Sequence, residues 1–173
     1  MIKINKILFP SDLTTYSLAG LEYAVTMSKL YNARLYILHI LDTTSYDEIL
    51  GSTPEIDELY HSLEENKRIE MNRYIRENLK DNTKVIQALR FGKLDEEIIN
   101  YAEQENFDLI IMEESGLHSK ASSNGSGIIE KVLMGTSIPV LKANASGVKM
   151  ETQIQSYADR NYQLNTFGRS LFN

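Results

Sequence analysis

Five short apolar runs constrain this chain more than any other feature of it. They are KILFP at 6–10, ARLYILHIL at 33–41, KVIQAL at 84–89, LII at 109–111 and IPVL at 138–141. Each is too short for a core helix and carries the Ile, Leu and Val of a strand buried on both faces. Between them the apolar period changes. Leu18, Leu21, Ala24, Val25 and Ser28 share one helical face, and Asn32 closes that helix. Ile56, Leu59, Leu63, Met71, Tyr74, Ile75 and Leu79 step by three and four along 54–79, opposite a solvated face of Glu, Lys and Arg. Leu94, Ile98, Tyr101 and Ala102 stripe a third helix, with Asp95, Glu96 and Glu97 in its first turn, where the dipole favours negative charge. Ile128, Ile129, Val132 and Leu133 stripe a fourth, stopped by Gly135.

Such alternation predicts an α/β fold: a five-stranded parallel sheet, doubly wound, with right-handed crossovers placing helices on both faces. Ligands of such sheets bind at the carboxyl ends of the strands, where the strand order reverses. Two stretches carry suitable chemistry. Ser11, Asp12 and Thr14 follow the first strand as turn and cap residues. The segment from Glu113 to Gly127, rich in Ser and Gly, follows the fourth strand and opens a helix whose free amides and dipole can meet an anion. By residue type alone, Asp12 is either a helix cap or a ligand contact. Gly92-Lys93 invites a P-loop reading, but GxxxxGK[ST] is absent, and no GxGxxG follows the first strand.

Composition narrows the function. A net charge of −6 argues against nucleic acid as the partner, and the absence of cysteine excludes disulfides and thiol chemistry. His39, His61 and His118 lack metal-ligand spacing, and His39, inside a strand, reads as a satisfied core side chain. No GxSxG elbow is present, and Glu113-Glu114 would splay apart as an acid/base pair, so no catalytic residue is assigned. No stretch reaches eighteen consecutive apolar residues and MIKINKILFP is a strand pattern, so the expectation is a cytoplasmic protein without membrane contact. After Lys142 the pattern stops. We expect a domain at 1–143 and a C-terminal extension at 144–173, an arm or partly disordered tail.

The same residues resemble the universal stress protein A (UspA) family over roughly residues 4 to 142. That family carries, after its fourth strand, Gly, two residues, Gly, nine residues, then Gly followed by Ser or Thr. Gly116 stands at the second Gly and Ser126-Gly127 follows nine residues later, while a one-residue gap would place Gly125-Ser126 there. Glu130-Lys131-Val132, Ile138-Pro139-Val140 and PSDLT at 10–14 are similar to its Glu-Lys-Val, Cys-Pro-Val and Pro-Thr-Asp-Gly-Ser signatures. The resemblance implies an adenine nucleotide alpha hydrolase-like, Rossmann-like sandwich and a stress-response regulatory module. It implies a site for ATP or a related nucleotide, with Mg as a possible companion, at Pro10, Asp12, Ile40, Met112, Gly116, Gly125, Ser126 and Gly127. Slow ATP hydrolysis is compatible with that site. The resemblance also implies a homodimer through the last strand, Pro139 to Lys142, or through the C-terminal arm. One departure matters: Glu113 replaces the first motif Gly and would bring bulk and like charge beside a phosphate. The alternative expectation is therefore a nucleotide-free dimeric interaction module, like the members that do not bind ATP.

Overall fold

The structure, a computed structural model, describes residues 3–43, 54–79, 83–113, 127–144 and 147–151. Its elements are β1 (Lys6–Pro10), α1 (Leu18–Tyr31), β2 (Arg34–Leu41), α2 (Pro54–Asn78) and β3 (Val85–Phe91). They continue with α3 (Leu94–Gln104), β4 (Leu109–Glu113), α4 (Ile128–Gly135), β5 (Val140–Asn144) and β6 (Gly147–Glu151). A 3-10 turn, Thr15–Ser17, leads into α1. The sheet order is β3-β2-β1-β4-β5-β6, so winding reverses between β1 and β4. β1 to β5 pair in parallel, as the alternation predicts. β6 was not expected: it pairs antiparallel with β5, from Val140 opposite Glu151 to Asn144 opposite Gly147, and fills the outer edge of β5.

Strand alternation sorts the core into two layers. On one face Ile7, Phe9, Leu35, Ile37, Leu109 and Ile111 pack under α1 and α2, which contribute Leu21, Ala24, Met71 and Tyr74. On the other, Leu8, Tyr36, Leu38, Ile40, Ile110 and Met112 pack under α3 and α4, which contribute Ile98, Tyr101, Ala102, Ile129 and Val132. Asn32 ends α1 at φ 51, in the left-handed conformation an asparagine tolerates, and its N–H returns to the last turn. Gly135 ends α4 where a Cβ would lie 2.3 Å from Ile99 Cδ1, so the glycine also lets α4 approach α3.

The amino ends of the strands are sealed. Asp108 Oδ2 accepts from the Asn5 and Lys6 amides (2.7 and 2.9 Å), the Asp108 N–H donates to the Lys6 carbonyl (3.0 Å), and Lys6 Nζ donates to the Glu105 carbonyl (2.6 Å).

Three boundaries depart from the sequence reading. β3 runs on to Phe91, opposite Leu41. β5 starts at Val140 and not Ile138, because Pro139 has no N–H for the ladder and joins it only by its carbonyl, which accepts from Ile110 (2.9 Å). β4 runs past its apolar run to Glu113, opposite Ala143. The 25-residue α2 spans roughly 37 Å, more than the roughly 26 Å of the 8-residue β2. Met71 and Tyr74 in its second half are buried, while Leu59, expected in the stripe, is 40% exposed and Ile69 54% exposed.

Candidate functional site

The β1–β4 ladder pairs only Ile7 with Leu109 and Leu8 with Ile110. On the flanks, pairing continues to Pro10 with Leu38 and to Glu113 with Ala143. The β1–β4 ladder thus ends before its flanking ladders do, at the point where the winding reverses. Continuing the register puts Pro10 level with Met112. By alternation Pro10 shares the face of Leu8, so Pro10, Ile40 and Met112 lie on the α3/α4 side of adjacent strands. Gly127, extended at φ −69 and ψ 166, is the N-cap of α4 and offers no side chain to its first amides. Gly116, Gly125 and Ser126 lie outside the described residues.

Asp12 stands two residues past β1 in a tight turn. Its Oδ1 accepts from the Thr14 N–H (3.0 Å) and the Thr14 hydroxyl (2.8 Å). Thr14, not Asp12, caps the 3-10 turn, its Oγ1 accepting from the Tyr16 N–H (3.3 Å). Of the two roles left open for Asp12, the helix cap therefore passes to Thr14. Between them Leu13 adopts φ 61. In the Pro-Thr-Asp-Gly-Ser signature this position is Gly, which takes that conformation freely; for leucine it costs roughly 1–2 kcal/mol.

A buried polar cluster lies beneath the turn. The Ser11 N–H donates to the Leu38 carbonyl (2.9 Å), and the Leu13 N–H donates to Ser11 Oγ (3.0 Å). Ser17 Oγ lies 2.9 Å from the Thr14 carbonyl, 3.0 Å from Ser11 Oγ and 2.8 Å from the Tyr74 hydroxyl. His39 Nδ1 lies 2.8 Å from the Ser11 carbonyl and must carry its proton to bond there. Burial lowers the His39 pKa below 6.5 and Lys67 acts with it, against the Ser11 bond, Glu70 and Asp12. Burial likewise raises the Tyr74 phenol above 10.0, which keeps its proton available for donation. His39 is thus a satisfied core residue, as expected. Ser17 was not singled out from the sequence, Ser11 read as a turn and cap residue, and Tyr74 read as part of an apolar stripe.

Glu113 is only 1% exposed. It shares the strand face of Ile111, so its side chain lies on the α1 side, opposite Met112 and α4. A Cβ on Gly20 of α1 would lie 2.9 Å from Glu113 Cβ and 3.2 Å from its Oε2. The glycine on α1 makes the slot that lets a carboxyl side chain end a buried strand. This corrects the reading of Glu113 as the first residue of the loop after the fourth strand: it is the last residue of β4.

Elsewhere, Asp95 in the first turn of α3 is mostly buried and lies 3.9 Å from both Lys93 and Lys131, joining α3 to α4. A groove of about 450 Å³ between α1 and the end of α2, lined by Leu21, Val25 and Leu79 among others, lies within the helical layer and not at the strand ends. No group of three or more His, Asp or Glu among the described residues could hold a metal ion. No described helix is long and apolar enough to cross a membrane.

The sequence model of the universal stress protein family matches residues 3–142. No curated protein shows a significant sequence match. Among solved structures, the chain is similar to the hypothetical protein MJ0577, a subject of structure-based functional assignment (TM-score 0.64, 25% identity, covering 83% of this chain and 97% of that one). It is also similar to the universal stress protein UspA from Lactobacillus plantarum (TM-score 0.63, 19% identity, 82% and 98% covered). A third is a universal stress protein in complex with cAMP (TM-score 0.54, 17% identity, 82% and 98% covered).

Proposed function

The chain belongs to the universal stress protein family, and we propose that it binds an adenine nucleotide, ATP with magnesium being the expected form, in the crevice between β1 and β4. The observation that carries this reading is the early end of the β1–β4 ladder at the point of strand reversal. The Asp12 turn follows β1 and Gly127 heads α4, the helix between β4 and β5, so both belong to connections leaving the carboxyl ends of the two central strands. In this reading Asp12 contacts the nucleotide, backbone at Ile40 holds the adenine, Pro10 and Met112 line the crevice, and Gly116, Gly125, Ser126 and Gly127 surround the phosphates. A relative solved with cAMP supports the adenine class. Glu113, directed towards α1, leaves the α4 side open.

The module is regulatory and cytoplasmic in this reading, not an efficient enzyme. His39 bonds the Ser11 carbonyl and not its hydroxyl, so the pair is not arranged as base and nucleophile. The same reading includes a homodimer. With β6 against β5, its contact runs through the C-terminal arm and not through the bare edge of Pro139 to Lys142.

The test is the nucleotide content of freshly purified protein, released by denaturation and identified by mass spectrometry. Adenine nucleotide released in proportion to protein supports the reading. Protein that is empty as purified, and stays empty after incubation with ATP and magnesium, supports the nucleotide-free interaction module.

A further inference from the structure

We infer that Ser17 and Tyr74 are positioning residues for the Asp12 turn: a buried hydroxyl relay fastens that turn to α2, so the shape of the proposed site depends on where α2 sits. The inference rests on Asp12 belonging to that site. The direction of every proton in the relay follows from chemistry. The Thr14 carbonyl can only accept, so the Ser17 hydroxyl donates to it (2.9 Å). With its single proton engaged, Ser17 Oγ can only accept from the other two, the Ser11 hydroxyl (3.0 Å) and the Tyr74 hydroxyl (2.8 Å). Ser11 Oγ then accepts from the Leu13 N–H (3.0 Å). Both lone pairs of Ser17 are filled in this arrangement, and the Tyr74 hydroxyl also lies close to Ser11.

Ser17 is 1% exposed, so water does not readily replace a lost partner. The relay ends on the amide of Leu13, whose φ of 61 leucine does not choose unaided. Its other end, the Tyr74 hydroxyl on α2, lies 57 residues in sequence from Ser17. A movement of α2 that withdraws Tyr74 removes one donor from Ser17 and loosens the turn. Binding that needs the turn in place favours, by linkage, the position of α2 seen here.

Backbone amide exchange followed by NMR on the full chain reads the turn without any ligand. Tyr74→Phe keeps the ring and removes only the hydroxyl, and Ser17→Ala removes the hub. In Tyr74→Phe we expect the Leu13 amide to exchange roughly five- to tenfold faster, the change that loss of one ordinary hydrogen bond gives. The Ile110 amide, bonded to the Pro139 carbonyl in the core, should keep its rate. ATP affinity should fall by a similar factor, and Ser17→Ala should move both readouts further. An unchanged Leu13 rate overturns the relay, and so does equal acceleration at Leu13 and Ile110, which would mark a role in overall stability alone. Faster Leu13 exchange with unchanged affinity, in a chain that binds ATP, overturns the positioning role. If the unsubstituted chain binds no ATP, the nucleotide reading falls by itself, and the Leu13 rate still decides the relay.

Discussion

Gly20 and Glu113 share one small volume between α1 and β4. A methyl group on Gly20 would meet Glu113 Cβ and Phe9 Cε2, each at 2.9 Å, so Gly20→Ala should destabilise the fold by about 1–3 kcal/mol through overpacking. Removing the Glu113 side chain takes away half of that clash. In a Glu113→Gly background the cost of Gly20→Ala should fall by about 1 kcal/mol, measured as a double-mutant cycle in urea. Additive effects would place Glu113 elsewhere. His39 gives a pH prediction. Its folded pKa lies below 6.5, with burial the main cause. As the pH falls through about 6.5 the unfolded chain takes up a proton that folded His39 refuses, so stability is full above that pH and declines below it. His39→Gln should flatten this part of the stability-versus-pH curve, measured by denaturant unfolding from pH 8 to about 5. Asp12, Lys67 and Glu70 also act on the ring, so their own titration is the background against which the difference is read.

At the level of elements, the amino end of the sheet is held by one carboxylate. Asp108→Ala removes the acceptor of two backbone amides, at Asn5 and Lys6, and should lower stability by about 1–3 kcal/mol in thermal or denaturant melts, without changing nucleotide affinity. The elements themselves were legible in the sequence because each has a single period: 7–10 and 109–111 are unbroken apolar runs, and Leu21 and Ala24 recur at helical spacing. Boundaries failed where a side chain's fate depends on a distant partner. Glu113 reads as loop until Gly20 is seen to vacate a slot for it. Leu59 reads as core until α2 proves longer than the strands beneath it. β6 carries too few apolar residues to announce itself. For the candidate site, Asp12 and Gly127 could be named as candidates through motif, whereas Ser17 and Tyr74 could not, since a hydroxyl relay between residues far apart leaves no local pattern.

On the scale of the whole molecule, two facts frame what the chain can do: a strand order that reverses between β1 and β4, and an outer edge of β5 paired with the sixth strand. Removing residues 144–173 takes away the arm's proposed dimer contact and, with β6, the cover of β5, so the shortened chain should exchange its dimer for open edge-to-edge association and form species larger than a dimer, read by light scattering after gel filtration. An unchanged mass would mean that β6 protects nothing. The proposed nucleotide site should be indifferent to that deletion, because β6 lies at the outer edge of the sheet, beyond β5 and away from the β1–β4 junction. Isothermal titration of nucleotide-stripped protein with ATP and magnesium, repeated on Asp12→Ala, tests the central claim most directly. The account predicts micromolar binding that Asp12→Ala abolishes while the thermal melt stays close to that of the unsubstituted chain. No binding to the unsubstituted protein, or equal binding by both proteins, would contradict it.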